Sequence, residues 1–225
     1  MHKIKTLLEN LKDVKVIDSS IDYSDYIAVD LSASNEELSK LKITDAAAFE
    51  NYIEDYLAKN NAKVAFGGYQ EIRNLYKRST VFNDKKSDER NIHIGLDLWI
   101  KAGTSVLAAL DGTIHSFQNN TALGDYGPTI ILEHQVDELK FYTLYGHLSL
   151  DSLTDKQIGT EVKKGEVIAT LGSPPINGDY APHLHFQIII DIENKIGDYP
   201  GVCNEKDLEF YSENCPDPNL LLKMI

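Results

Sequence analysis

The stretch APHLHFQIII, residues 181–190, decides how the rest of the chain is read. Side chains alternate along a strand, so His183, His185, Gln187 and Ile189 share one face, while Leu184, Phe186, Ile188 and Ile190 share the other. The second face is uniformly apolar and reads as core. The first presents two imidazoles two positions apart. Two accounts are open at this point: a pair of half-exposed histidines on a sheet, or a metal or catalytic site.

Working outward, short β-rich runs alternate with turns from about residue 90 onward: LDLWI, SVLAAL, GTIHSF, PTIILEH, KFYTLYGHL and EVIATLG. Asp111-Gly112, Gly124-Asp125-Tyr126-Gly127, Lys164-Gly165 and Asn177-Gly178 punctuate them. Many short strands with turn signals this frequent predict an all-β sandwich or barrel. The N-terminal part reads differently, as mixed helix and strand. In ITDAAAFENYIEDYLAKNN, Thr44 or Asp45 offers an N-cap, and Phe49, Tyr52, Ile53, Tyr56 and Leu57 follow helical spacing. KVAF (63–66) reads as a short strand that Gly67-Gly68 breaks. The expected organisation is an N-terminal α/β extension over 1–88, a β domain over 89–192, and a polar, Pro-containing tail over 193–225 that packs back through Leu220, Leu221 and Leu222.

The chain has 225 residues, 42% of them hydrophobic, which is enough for a core without disulfide staples. Its net charge of −13 argues against nucleic acid and anionic membranes as partners, since both need clustered Lys and Arg. No apolar run approaches a transmembrane span. The start, MHKIKTLLENLKDVKVID, carries acidic residues and lacks a long apolar stretch, so it does not read as a secretory signal. On this chain the expected location is the cytoplasm, or the cell envelope if a signal has been removed. Cys203 and Cys215 are too few for a disulfide framework and lack the partners of a zinc motif; a bridge between them stays open.

Seven histidines are present, and His2 is terminal. His115 and His134 sit in or at the ends of strands without a carboxylate pattern and read as structural or surface groups. His93 has Asp97 four places on. A straight strand would hold these two about 13 Å apart, too far to share an ion. A shared ion therefore requires the chain to bend between them, and Gly95 can supply unusual backbone angles. His147 follows Gly146, which leaves room for close backbone approach. On a strand it would share a face with Tyr145 and Thr143.

Each of these signals is weak alone. Together, HIGLD (93–97), YGHLS (145–149) and PHLHF (182–186) resemble the M23, lysostaphin- or LytM-like, zinc metallopeptidases. The phrases AGTSVLAALDGTI, GDYGPTIILEH and GTEVKKGEVIATLGS agree as well. The resemblance covers roughly residues 90–190 and leaves the N-terminal part uncovered. It implies a barrel-sandwich-hybrid catalytic domain within an α+β, mainly antiparallel chain, holding one zinc ion. His93, Asp97 and His185 map onto the ligands, and His147 and His183 onto the catalytic histidines. It further implies a peptide or peptidoglycan substrate and endopeptidase chemistry, with a fourth tetrahedral position open for water. No HExxH motif supplies a glutamate base, so His147 and His183 are the candidates to take the proton. The family's tyrosine near the scissile carbonyl is not assigned by any motif here.

Two alternatives stand beside this one. GTEVKKGEVIATLG is also similar to lipoyl or biotinyl carrier domains, but the residues flanking Lys163 and Lys164 do not match, which points to shared architecture rather than shared function. A catalytically silent M23-like binding or regulatory module would keep the fold and lose the activity. Tyr69, Arg73, Tyr76 and Arg78, close in sequence to His93, are expected to wall the groove.

Overall fold

The computed structural model describes residues 2–41, 43–74 and 89–224. The N-terminal part contributes helix α1 (His2–Asn10), strand β1 (Tyr26–Ala28), a single turn α2 (Glu36–Ser39), helix α3 (Ala46–Lys59) and strand β2 (Val64–Gly67). Asp45 caps α3, its carboxylate accepting from the Ala48 amide at 3.1 Å. The helical spacing does what it predicts: Phe49 and Ile53 are buried, and Phe49 meets Trp99 edge to face at 5.0 Å. The expected strand at 63–66 is β2, shifted by one residue.

Ten further strands follow: β3 (Ile92–His93), β4 (Leu96–Trp99), β5 (Ser105–Leu107), β6 (Gly112–Asn120), β7 (Gly127–Val136), β8 (Leu139–Gly146), β9 (Glu161–Val162), β10 (Val167–Thr170), β11 (His183–Ile189) and β12 (Val202–Cys203). Helices α4 (Leu208–Asn214) and α5 (Asn219–Leu222) close the described chain. One eight-stranded sheet runs β1-β2-β4-β11-β8-β7-β6-β9, with β1 and β2 parallel and its other pairs antiparallel. Pairs β5–β10 and β3–β12 form small separate ladders. The mainly antiparallel architecture that the resemblance implies is the one the chain adopts. The tightest hairpin, β7 to β8, turns on Asp137 and Glu138, and Asp137 takes a left-handed φ of 53°, which aspartate tolerates.

The sheet is covered on both faces. Leu184, Phe186 and Ile188 of β11 enter the main core together with Leu96, Leu98, Tyr145 and Ile130. Leu8 of α1 and Leu221 and Leu222 of α5 seal the same core, so the two ends of the chain meet there. On the opposite face, Ile189 packs with Leu144, Tyr199, Cys203 and Cys215. Residues from the C-terminal stretch thus roof the histidine face of β11, and every residue of that strand is buried. Half-exposed histidines on an open sheet are ruled out by this roof. Cys203 and Cys215 lie in it as free thiols, and burial pushes both up, to about 11 and about 12. Among the described residues no helix is long and apolar enough to cross a membrane.

Candidate metal centre and active site

β11 lies between β4 and β8, and its register builds most of the site. His185 stands directly opposite Asp97 on β4 and opposite Gly146 on β8, while His183 stands opposite Trp99. Paired residues project to the same side of a sheet, so the carboxylate and the imidazole meet by register alone. His93 arrives from β3, a separate short ladder. The chain bends at Ile94-Gly95, and the His93 Nε2 to Asp97 Oδ1 distance is 3.3 Å. The bend expected between these residues is therefore present, but Gly95 is not left-handed. It is required for space: a Cβ there would lie 2.4 Å from Cε1 of His185. Gly95→Ala is expected to displace that ring and to cost about 1–3 kcal/mol, as overpacking does, read as a lowered melting temperature.

His93 Nε2, His185 Nδ1 and Asp97 Oδ1 converge. The two nitrogens are 2.9 Å apart, His185 Nδ1 is 3.1 Å from Asp97 Oδ1, and all three donor atoms fall within 4.8 Å of one another. A tetrahedral zinc with bonds of about 2.0–2.1 Å separates its ligand atoms by about 3.3 Å. Two imidazoles and one carboxylate, all buried, thus fit such an ion in both chemistry and spacing. Each imidazole is oriented from behind. His93 Nδ1–H donates to the Gly68 carbonyl at 2.9 Å, and His185 Nε2–H donates to Gln187 Oε1 at 3.0 Å. Gln187 is itself held, donating to the Pro200 carbonyl at 3.1 Å. Such outer partners select the tautomer that leaves the inward nitrogen able to bind a cation.

His147 and His183 flank this triangle, with ring centroids 4.2 Å apart. Their Nδ1–H groups donate to the Asn177 and Ala181 carbonyls, each at 2.8 Å, which leaves each Nε2 with its lone pair. His183 also stacks on Trp99 at 3.9 Å. His147 does not share a face with Tyr145 and Thr143, contrary to the strand reading. β8 ends at Gly146, and His147 turns back with a φ of 62°, its amide donating to the Tyr126 carbonyl at 2.8 Å. Tyr145 instead points into the main core, where its hydroxyl accepts from the Ala109 amide at 2.9 Å.

Four of the five residues, Asp97, His147, His183 and His185, border a cavity of about 170 Å³, and His93 sits behind them. Tyr126, Tyr180, Asp125, Arg90 and residues 198–202 complete its walls. Tyr69 and Arg73, expected as groove walls, do not line it. Tyr69 donates to the Cys215 carbonyl at 2.7 Å, and Arg73 is 1% exposed behind Asp97. Tyr76 and Arg78 lie outside the described residues. Tyr126 reaches the site, its hydroxyl 3.4 Å from His185 Nε2, and the Tyr180 ring meets His147 edge to face at 5.1 Å. The Tyr126 ring occupies the space that a Gly146 side chain would fill, since a Cβ there would lie 2.7 Å from it. The readable signal for Tyr126 was its place between Gly124 and Gly127.

Comparison with known proteins follows the same residues. The model of peptidase family M23 matches residues 91–196. Over those residues the chain resembles peptidase family M23. An uncharacterized metalloprotease of Haemophilus influenzae is 34% identical over 99 residues, which cover 44% of this chain and 19% of the relative. The match thus spans about a fifth of that curated relative. The catalytic domain of the antimicrobial peptidase lysostaphin from Staphylococcus simulans is 25% identical, with 68% of this chain and 94% of that chain covered and a TM-score of 0.40. The catalytic domain of the prophage-encoded M23 protein EnpA from Enterococcus faecalis is 20% identical, covering 53% of this chain and 87% of that one with a TM-score of 0.38.

Burial sets the protonation states of the histidines in this site. It pulls His93 and His183 down to about 4 and His147 well below the usual imidazole range. At Asp97 burial alone would raise the pKa, but His93 and Arg73 outweigh it and hold the carboxylate well below its ordinary range. His134, outside the site, is also lowered by burial; it is a structural group, bridging the Asp111 carbonyl and Thr143 Oγ1. The sign for stability follows. Unfolding frees these histidines to titrate near 6.5, so the unfolded state binds more protons below that pH. Their neutral burial stabilises the fold fully above about 6.5, and each loses up to about 1.4 kcal/mol per pH unit as pH falls towards the folded values. Thermal melts of the metal-free protein are expected to drop between pH 7 and pH 4.5.

Proposed function

We propose that the chain is a zinc-dependent endopeptidase of the DD-endopeptidase type, hydrolysing peptide bonds in peptidoglycan or in peptides derived from it. One observation carries this reading: three buried donor atoms converge, and two of their residues, Asp97 and His185, line a cavity that two further neutral imidazoles also line. His93, Asp97 and His185 are the residues that would hold one zinc ion. When bound, the ion supplies Lewis acidity to the scissile carbonyl and to water.

The chain's own groups do the rest. His147 and His183 present unprotonated Nε2 atoms because their Nδ1–H groups are committed to backbone carbonyls. Either can accept a proton from the attacking water, and once protonated it can donate to the leaving amine or steady the developing oxyanion. Their burial keeps them neutral at pH 7, which is the form a general base needs. Tyr126, across the cavity from His147, is placed to donate to a substrate carbonyl; the two rings lie 5.7 Å apart. The cavity is lined by Tyr180 and Tyr199 as well, surfaces suited to a peptide backbone rather than a polyanion.

The test is elemental analysis after exhaustive dialysis, followed by an assay for amino groups released from purified peptidoglycan and from glycine-containing cross-link peptides. One zinc per chain with metal-dependent release supports the proposal. Zinc without release from any of these would point to the silent binding module, and neither retention nor uptake of zinc would remove the hydrolase reading.

A further inference from the structure

We infer that Arg73, which precedes the residues that resemble family M23, is a positioning residue of the metal centre: it commits one oxygen of Asp97 so that the carboxylate offers only the other to the ion. This rests on the reading of His93, Asp97 and His185 as ligands.

A buried guanidinium costs several kcal/mol unless it is well paired, so its partners show what it is there to hold. Arg73 Nη1 donates to Asp97 Oδ2 at 2.5 Å, and Nε donates to Glu71 Oε2 at 2.5 Å. Glu71 is fixed in turn, its Oε1 accepting from the Leu31 amide at 3.0 Å. Asp97 Oδ1 is left facing His93 Nε2 at 3.3 Å and His185 Nδ1 at 3.1 Å. A carboxylate can chelate an ion through both oxygens only if both are available. Here one is occupied by a cation that does not deprotonate. A single-oxygen carboxylate with two imidazoles leaves room for a four-coordinate site, whereas a chelating carboxylate adds a ligand.

The same segment holds a second ligand. Gly68 offers its carbonyl to His93 Nδ1, Gln70 donates its amide to the His93 carbonyl at 2.7 Å, and the His93 amide donates to the Glu71 carbonyl at 3.0 Å. Gly68 must lack a side chain for this to work. It has a φ of 102°, and a Cβ there would lie 1.8 Å from Arg73 Nη2. Residues 67–73 therefore grip two of the three ligands from behind.

The test uses zinc and Co(II) as probes. The zinc dissociation constant is measured by competition with a chromophoric chelator, and the visible spectrum of the Co(II)-loaded protein reports coordination number. The parent is expected to show the intense bands of a four-coordinate ion. R73M is expected to bind zinc about 10–100-fold more weakly, as loss of an outer partner does, with weaker Co(II) bands as the carboxylate turns to chelate. R73K keeps the charge but not the fork and is expected to fall between them. Melts of the metal-free proteins report folding, and if R73M does not fold, R73K carries the test. A purely structural ion pair would shift the melt and leave the spectrum alone. An unchanged zinc constant and Co(II) spectrum in the folded variants would overturn the inference, while a parent that takes up no zinc would remove the metal reading beneath it.

Discussion

Replacing His185 with alanine is expected to abolish metal retention, taking the protein from about one zinc per chain to none after dialysis. His185 is the proposed ligand that register places opposite Asp97, and without it His93 and Asp97 would offer only two donor residues. The loss should exceed the roughly 10–100-fold that follows from removing an outer partner, because a bond to the ion itself is gone. Gln187 Oε1 loses its donor in the same step. Retention of a full equivalent of zinc by this variant would sink the ligand assignment. A melt of the metal-free variant separates lost metal from lost fold, since His185 also packs against Tyr126 at 5.0 Å and His93 at 4.8 Å.

The second large effect is the converse. Replacing His147 should spare the zinc and remove the activity, by about 10²–10⁴-fold in kcat if it is the general base. Its position makes asparagine the better substitute than alanine. His147 has a φ of 62°, a region that asparagine tolerates and alanine does not. Asparagine removes the basic Nε2 and so should leave the peptide bond uncut with the metal still in place. Metal content by elemental analysis and turnover on a cross-link peptide, measured on the same preparation, decide it. Equal loss of metal in the His147 and His185 variants would mean that the division of roles between them is wrong.

Much of the site was legible before any fold was seen. Alternation along β11 puts His183, His185 and Gln187 on one face whatever surrounds them, because successive side chains on a strand must oppose one another. The turn pairs announced short strands, and helical spacing with a cap at Thr44 or Asp45 announced α3. Three motifs in order then carried a resemblance that spacing alone could not, including which histidine of the His-x-His pair goes to the metal.

Other features belong to contacts between distant parts of the chain. Tyr145 and Tyr126 look alike in sequence, yet one is core and the other reaches the site, because β8 stops at Gly146 and Tyr126 fills the gap this glycine leaves. Arg73 reads as a groove wall because it is close in sequence to His93. Its partner, Asp97, is 24 residues away and is reached only because β2 pairs with β4. Gly95 reads as a hinge and turns out to be a clearance for an imidazole from β11.

The sequence by itself determined the local periods, the caps and the turns, all set by near neighbours, and it carried the three motifs whose resemblance nominated five residues for the chemistry. Tertiary structure alone decided how deeply those residues are buried, which nitrogen of each imidazole faces the cavity, and which groups hold them from behind. Those properties depend on strand register and on the roof laid over β11 by the C-terminal segment, and they arise only when residues far apart in the chain are brought into contact.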